Sequence, residues 1–474
     1  MVCYNRDVFG RTPEPSTSQS ILVINTPRFY FAVAALLLIC SAAQPVCAEQ
    51  NAGELQAKYD KLSQEFAAAN PEWRPKAPAT GMLLFIAPDE YSPLAKPAEA
   101  ISEARSQYAA AVFELAKEAA EAGQLSLAFE WATETLRENP DHTDARRVLG
   151  YEQRDGQWLT AYGVKMFDVG KTWDPKRGWV SAKEDQRQIS EQADIARHTD
   201  IRTGWQVRTD HFQITTNHSL AAGAELGARL EHLYQIWRQL FAGFYYTEKE
   251  VRSLFAGERN ARVQSRPFRV FYYRSSESYV EALRRRQPKI KETLGIYFDN
   301  SREAHFYAGD DRARGTLFHE AVHQLFLESK PTAKQIGTTA NYWIVEGIAN
   351  YFETLTEHDD PLAGLYFTVG ESTAGRLPAA REKVQQGFYI PLAELTHMSK
   401  DDIQRHPERA KLYSQSSGLA AFLLNGEHGR YREALVSYLQ TVYAGRDDAG
   451  TLAEVTETTY PELDGQYHKF LQSP

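Results

Sequence analysis

The stretch GTLFHEAVHQLFLE, at residues 315–328, decides how the second half of this 474-residue chain is expected to fold. Its apolar residues recur at helical spacing and predict an amphipathic helix; they are Leu317, Phe318, Ala321, Val322, Leu325 and Phe326. On this helix His319 and His323 lie one turn apart on the same face, so both imidazoles can bind one zinc ion. Glu320 lies beside them, within reach of a metal-bound water without being a ligand. The alternative is a structural histidine pair on a core helix.

A second helical stretch, NYWIVEGIANYFE at residues 341–353, offers a third ligand. Its apolar line consists of Ile344, Ile348, Phe352 and Leu355. Glu346, Asn350 and Glu353 lie on another face of the same helix. Glu346 would complete a set of two histidines and one glutamate and leave one coordination position open for water, as in catalytic zinc sites. The alternative is that Glu346 is an acidic residue near a helix N-terminus, where the helix dipole favours it.

The two stretches together, HEAVH at 319–323 and WIVEGIANYFE at 343–353, resemble the gluzincin (peptidase MA-like) superfamily of zinc metallopeptidases. The resemblance covers roughly residues 205–440 and is strongest to exported bacterial members of unknown substrate. It implies one zinc ion per chain, bound by His319, His323 and Glu346, with a further glutamate at Glu353. The GAMEN segment of the aminopeptidase branch does not occur in this chain, so a pure aminopeptidase is not expected.

The resemblance also implies a mechanism for peptide hydrolysis. Glu320 would act as the general base toward a zinc-activated water. Tyr413, in LYSQSSG at 412–418, is the candidate donor to the developing oxyanion, since similar tyrosine-containing segments occur downstream in related enzymes. The alternative is that Tyr413 packs near a helix start with Ser414 as its cap.

Two further expectations concern the surroundings of the metal. A ligating histidine usually donates its second ring nitrogen to an acceptor, and Asn350 or Glu353 can take that role; the alternative is that both are ordinary helix-face residues. The resemblance implies a strand along the cleft before the motif helix. Residues 303–307 (EAHFY) would supply it and bind an extended peptide through main-chain hydrogen bonds. The alternative is an ordinary edge strand.

The chain divides into regions of different composition. Residues 49–150 are predicted to be helical and resemble tetratricopeptide units, which would offer a surface for a protein partner; a helical hairpin packed on the main domain is the alternative. Residues 151–204 are a connector with a small aromatic-rich hairpin. Residues 205–474 form the catalytic domain, in which five strands, at 205–209, 212–216, 268–273, 294–298 and 304–307, precede helices that continue to the C-terminus. Strands followed by helices predict an α+β fold.

The first 48 residues are predicted to be a signal peptide. Arginines precede an apolar run at 29–40, and a small-residue cleavage site precedes Glu49. We therefore expect export to the periplasm or the extracellular space, with no stable membrane span after cleavage; an uncleaved signal anchor is the alternative. All three cysteines, Cys3, Cys40 and Cys47, lie in this segment, so a metal in the mature chain needs His, Asp or Glu ligands.

The composition, together with motifs that the sequence lacks, disfavours several classes of function. The net charge of -9 and the pI near 5.9 argue against a nucleic-acid partner. The chain has no glycine loop of the phosphate-binding type and no Gly-x-Ser-x-Gly motif, which disfavours nucleotide use and serine-hydrolase chemistry. Three functions stay open: a zinc peptidase acting on a peptide or protein, a non-catalytic envelope scaffold, and a zinc hydrolase of non-peptide amides. Glu320 favours an enzyme, because a structural zinc has no use for a general base.

Overall fold

The computed structural model describes residues 44–70, 78–92, 103–181, 191–262, 266–309, 313–360 and 364–472. The apolar run of the proposed signal peptide lies outside the described residues, and the first helix begins at Gln44, ahead of the proposed cleavage point. The chain is a mixed α/β protein with several small sheets, consistent with an α+β fold. Among the described residues, no helix combines the length and the apolar character needed to cross a bilayer.

The N-terminal region is helical, as the sequence predicts, but one strand interrupts it. Its elements are α1 (Gln44–Ala69), β1 (Met82–Leu84), α2 (Glu103–Glu121), α3 (Leu125–Glu138) and α4 (Thr143–Leu149). Helices α2 to α4 bury a core that also contains Tyr246, Val251 and Phe255 from a later segment. The N-terminal helices are therefore packed on the rest of the chain through a shared apolar core.

The connector contains two hairpins and two helices. Its elements are β2 (Tyr151–Arg154), β3 (Gln157–Thr160), α5 (Ala161–Asp168), β4 (Lys171–Asp174), β5 (Gly178–Ser181) and α6 (Glu191–Thr199), followed by a 3₁₀ helix (Ile201–Thr203). The first hairpin turns at Asp155 and Gly156, whose φ angles of 47° and 79° are both positive, as a two-residue type I′ turn requires. In the second hairpin Trp173 lies opposite Trp179.

A five-stranded sheet follows the connector. The elements are β6 (Trp205–Arg208), β7 (Phe212–Thr216), α7 (Leu220–Leu240), α8 (Ala242–Tyr245), α9 (Glu248–Phe255), β8 (Phe268–Tyr273), α10 (Ser276–Leu283), a 3₁₀ helix (Ile290–Glu292), β9 (Gly295–Phe298) and β10 (Glu303–Tyr307). The strand order is β6-β7-β8-β10-β9, with a parallel centre and an antiparallel pair on each side. The expectation that residues 303–307 form the cleft or edge strand is wrong, because β10 is paired on both sides; the edge strands of this sheet are β6 and β9.

The C-terminal half is largely helical. Its elements are α11 (Ala313–Glu328), α12 (Tyr342–Phe352), β11 (Thr356–Asp360), β12 (Gly364–Val369), α13 (Leu377–Gln385), α14 (Leu392–Leu395), α15 (Lys400–Arg405), α16 (Arg409–Asn425), a 3₁₀ helix (Gly426–Gly429), α17 (Arg432–Tyr443), α18 (Thr451–Val455) and α19 (Tyr460–Gln472). The expectation of helices alone after residue 307 is wrong. Strand β12 pairs with β11 on one side and with the N-terminal β1 on the other.

Two helices of this half, α11 and α12, lie at the centre of the largest apolar core. All six apolar residues predicted to line α11 are buried in it. Helix α12 is buried along its whole length and crosses α16 closely at Gly347, where an added Cβ would lie 2.7 Å from the carbonyl oxygen of Ser416. Only glycine permits this approach, which fixes the position of α12 and hence of the acidic residues it carries.

Candidate metal centre

Helix α11 brings its two histidines together, as their four-residue spacing predicts. The Nε2 atoms of His319 and His323 are 3.2 Å apart, and each side chain is only 12–13% exposed. Because the surrounding residues of α11 are anchored in the core, the two rings are held on the side of the helix that faces α12. Two nitrogens bound to one tetrahedral zinc would lie about 3.3 Å apart, so this spacing fits a shared metal ion.

Helix α12 supplies the third donor. Oε2 of Glu346 lies 3.6 Å from Nε2 of His319 and 3.9 Å from Nε2 of His323. Among the described residues, these three form the one group of His, Cys, Asp or Glu side chains whose donor atoms converge closely enough to hold a metal ion. The three predicted ligands are thus brought together, and the cluster can bind a metal. Two imidazoles and one carboxylate suit zinc as well as other divalent transition metals.

The charges of the cluster favour the presence of a cation between the histidines and the carboxylates. Burial disfavours a charged imidazole at His319, but its contacts with Glu346 and Glu353 outweigh burial and raise the pKa of His319 to about 10. Burial, together with the charge on His319, lowers the pKa of His323 to about 4. Burial opposes ionisation of Glu346, yet its contacts with the two histidines hold the pKa of Glu346 below its usual range. Protonated His319 is thus the cation that the surrounding carboxylates stabilise, and a metal ion would replace that proton.

Glu320 occupies a different position from the three donors. Its buried carboxylate accepts a hydrogen bond from the main-chain N–H of Tyr297, at 2.8 Å. Burial raises the pKa of Glu320, although His319 and the Tyr297 hydrogen bond act against the rise. Tyr297 belongs to the edge strand β9, so Glu320 lies next to the open side of the sheet.

A second ring of residues supports His319. Its Nδ1 atom is 3.0 Å from Oε1 of Glu353, one of the two predicted partners; the N–H is not aligned on the oxygen, so this contact is an ion pair rather than a good hydrogen bond. Arg376 lies on the far side of Glu353, with Nε 3.4 Å from Oε2, and donates a hydrogen bond to Oδ1 of Asn350 at 2.9 Å. Asn350 therefore bonds Arg376, and Glu353 faces the histidine.

Tyr342 is a contact of the site that sequence reasoning missed. Its hydroxyl donates a hydrogen bond of 2.6 Å to Oε1 of Glu346. The signal was present, because residues four apart on a helix are neighbours. Arg376 was also missed, and no local pattern marks it: it precedes α13 and reaches α12 only through the tertiary fold.

Tyr413 lies in the second turn of α16. It is buried, and its ring is 5.9 Å from the guanidinium carbon of Arg376. The alternative in which Ser414 caps a helix start is wrong, because α16 begins at Arg409 and the Ser414 hydroxyl donates back to the carbonyl of Ala410. The role of Tyr413 as an oxyanion donor stays a prediction.

Comparison with known proteins gives no further guide to this site. No family model matches the chain, and no curated protein matches it. The functional interpretation therefore depends on the residues and their geometry.

Proposed function

We propose that this protein is an exported zinc metallopeptidase of the gluzincin type, with one zinc ion held by His319, His323 and Glu346. The observation that carries the proposal is the convergence of two imidazole nitrogens and one carboxylate oxygen within 3.2–3.9 Å. A buried carboxylate, Glu320, follows the first ligand in the chain. A purely structural zinc would need a fourth protein ligand, and no other His, Cys, Asp or Glu among the described residues joins the cluster.

The residues divide the chemical work between them. A bound zinc ion would supply Lewis-acid activation of water and of the scissile carbonyl. Glu320 accepts a proton from the attacking water at its carboxylate and delivers it to the leaving amine. Burial suits this exchange because it brings the pKa of Glu320 above its usual value and closer to neutrality. We propose that Tyr413 donates to the oxyanion, and that Glu353 keeps the His319 ring oriented.

The geometry of the sheet favours an extended peptide as substrate. Among the described strands, β9 pairs only with β10, so its outer edge has no partner strand. The N–H of Tyr297 on that edge is directed to Glu320 rather than to β10. A peptide added antiparallel or parallel to β9 would pass beside the proposed general base. We therefore propose residues 295–298, rather than 303–307, as the cleft strand.

The decisive experiment compares the wild-type mature chain, residues 49–474, with Glu320→Gln and Glu328→Gln. Glu328 is a matched control, because it lies on the same helix and its carboxylate also contacts Tyr297, through the phenol hydroxyl. We expect one zinc per chain in all three proteins. Cleavage of a peptide library is expected to fall by at least about 100-fold in Glu320→Gln alone, as for loss of a general base.

The scaffold alternative predicts a different result. Wild type and Glu320→Gln would then bind zinc equally and neither would cleave any peptide, whereas capture of a partner would depend on α2, α3 and α4. The apolar core that these helices share with residues 246–255 favours a hairpin packed on the main domain over a free-standing repeat array. We therefore keep the peptidase as the proposed function.

A further inference from the structure

The two carboxylate oxygens of Glu346 have different surroundings. Oε2 faces the Nε2 atoms of both histidines, at 3.6 and 3.9 Å. Oε1 accepts the hydrogen bond from the Tyr342 hydroxyl, at 2.6 Å. A short hydrogen bond from a neutral donor to an ionised acceptor is among the stronger kinds in proteins. One oxygen of the carboxylate is therefore hydrogen-bonded to the protein, and the other faces the position that a metal would occupy.

Tyr342 is itself held in place from several sides. Its side chain is buried, and its hydroxyl accepts a hydrogen bond from Nε2 of Gln404 at 3.2 Å. The ammonium group of Lys400 lies 5.6 Å from the ring centre. Gly337 has a φ of +64°, and a Cβ there would lie 2.8 Å from the Tyr342 ring, so the loop before α12 closes tightly on the tyrosine. A phenol fixed in this way can fix the carboxylate to which it donates.

We propose that Tyr342 is a positioning residue that restricts Glu346 to binding the metal through Oε2 alone. A carboxylate can bind a metal through one oxygen or through both. With two histidines, single-oxygen binding leaves the fourth position of a tetrahedral metal for water, whereas two-oxygen binding occupies it. Tyr342 thus keeps the position that hydrolysis needs. This inference rests on the metal binding proposed above and does not depend on the identity of the substrate.

The test uses Tyr342→Phe, which keeps the ring and removes the hydroxyl. Tyr467→Phe is the matched control: Tyr467 is fully buried in the same half of the chain, and its hydroxyl donates to the main-chain carbonyl of Gln415. Zinc affinity is measured by competition with a chromophoric chelator, and coordination by the visible absorption of the cobalt(II)-loaded protein. We expect Tyr342→Phe to bind zinc about 10–100-fold more weakly. Its cobalt spectrum should change, as the second carboxylate oxygen takes the place of water, and Tyr467→Phe should match wild type in both measurements.

The outcomes separate this inference from the proposed function. Wild type that binds no zinc would overturn both. Wild type that binds zinc, with a folded Tyr342→Phe of equal affinity and identical cobalt spectrum, would overturn the positioning role alone. If Tyr342→Phe does not fold, Gln404→Met decides, because it removes only the donor to the tyrosine hydroxyl. A smaller change in the same direction supports the inference, and an unchanged affinity and spectrum overturn it.

Discussion

Two buried clusters of charged side chains in this molecule look alike in composition and differ in geometry. The metal cluster consists of His319, His323 and Glu346 on α11 and α12. The junction cluster lies where the segment before α2, the first connector hairpin and the five-stranded sheet meet, and it consists of Asp89, Glu90, Asp210, Glu231 and His211. The junction has more carboxylates and also lines a cavity, yet its donor atoms do not converge as those of the metal cluster do.

The carboxylates of the junction are bonded mainly to protein donors. Oε1 of Glu231 accepts from the Thr209 hydroxyl at 2.6 Å and from the main-chain N–H of His211 at 2.7 Å. Oδ1 of Asp89 accepts from two main-chain N–H groups, and Oδ2 accepts from the Gln235 side chain at 2.7 Å. In the metal cluster, the three donor atoms face one another. The number of buried acids does not identify a metal site; the direction of their donor atoms does.

The largest effect that tests this comparison is on metal binding. Glu346→Ala removes a converging donor and should weaken zinc binding by more than about 100-fold, beyond the loss usual for outer residues. Asp210→Asn removes a buried acid from the junction and should leave zinc affinity unchanged. Equilibrium dialysis of both variants beside wild type checks this. Equal losses in the two variants would show that the junction also contributes to the metal affinity.

The sequence predicted the metal cluster because its information is local. His319 and His323 are four residues apart on a helix with clear apolar periodicity. Glu346 lies on one face of the next helix together with Asn350 and Glu353. The two glutamates that the sequence singled out on α12, Glu346 and Glu353, both face His319. Helix geometry places each of these residues on a face of its own helix.

The strand order and the residues that support the metal cluster depend on contacts between segments that are distant in the sequence. Strand β11, TEHDD, lacks the apolar alternation of a strand and forms because it pairs with β12. Which of β9 and β10 lies at the edge depends on the parallel pairing of β10 with β8, which no local pattern encodes. Arg376, which precedes α13, reaches Glu353 only through the tertiary fold. The sequence therefore predicted the candidate ligands better than the strand order or the residues that support them.

The second effect concerns the support of His319. Glu353→Gln keeps the shape of the side chain and removes its charge, so His319 loses its ion-pair partner; a loss of about 10–100-fold in zinc affinity is expected. Arg376→Gln should act in the same direction, because Arg376 holds the other oxygen of Glu353. Exposed Glu382, on α13, gives the control Glu382→Gln, for which zinc affinity should not change. Chelator competition measures all three, and an unaltered Glu353→Gln would contradict the supporting role.

The third effect tests whether close helix packing underlies the converging geometry. Gly347→Ala would place a methyl group 2.7 Å from the Ser416 carbonyl and force α12 away from α16. We expect the free energy of unfolding to fall by about 1–3 kcal/mol, as for overpacked cores, and zinc affinity to fall with it. Gly465→Ala is the matched control in helix α19, because nothing lies within 4 Å of its added Cβ. Denaturant unfolding should show Gly465→Ala at least as stable as wild type, since alanine favours a helix.

The smallest effect is the pH dependence that the junction adds to folding stability. Burial, the largest cause, raises the pKa of Asp89 to about 6 and of Asp210 to about 7, despite opposing contributions from nearby donors and from His211. The folded chain therefore keeps protons that the unfolded chain releases from about pH 4 upward, so stability falls as pH rises from about 4 to 7.

Asp210→Asn should lessen this fall by on the order of 1.4 kcal/mol or more, the value of one pKa unit. Asp174→Asn should not lessen it, because Arg177 lowers the pKa of Asp174. Unfolding by denaturant at several pH values measures both variants, and a parallel fall in wild type and Asp210→Asn would contradict the assignment of this pH dependence to Asp210.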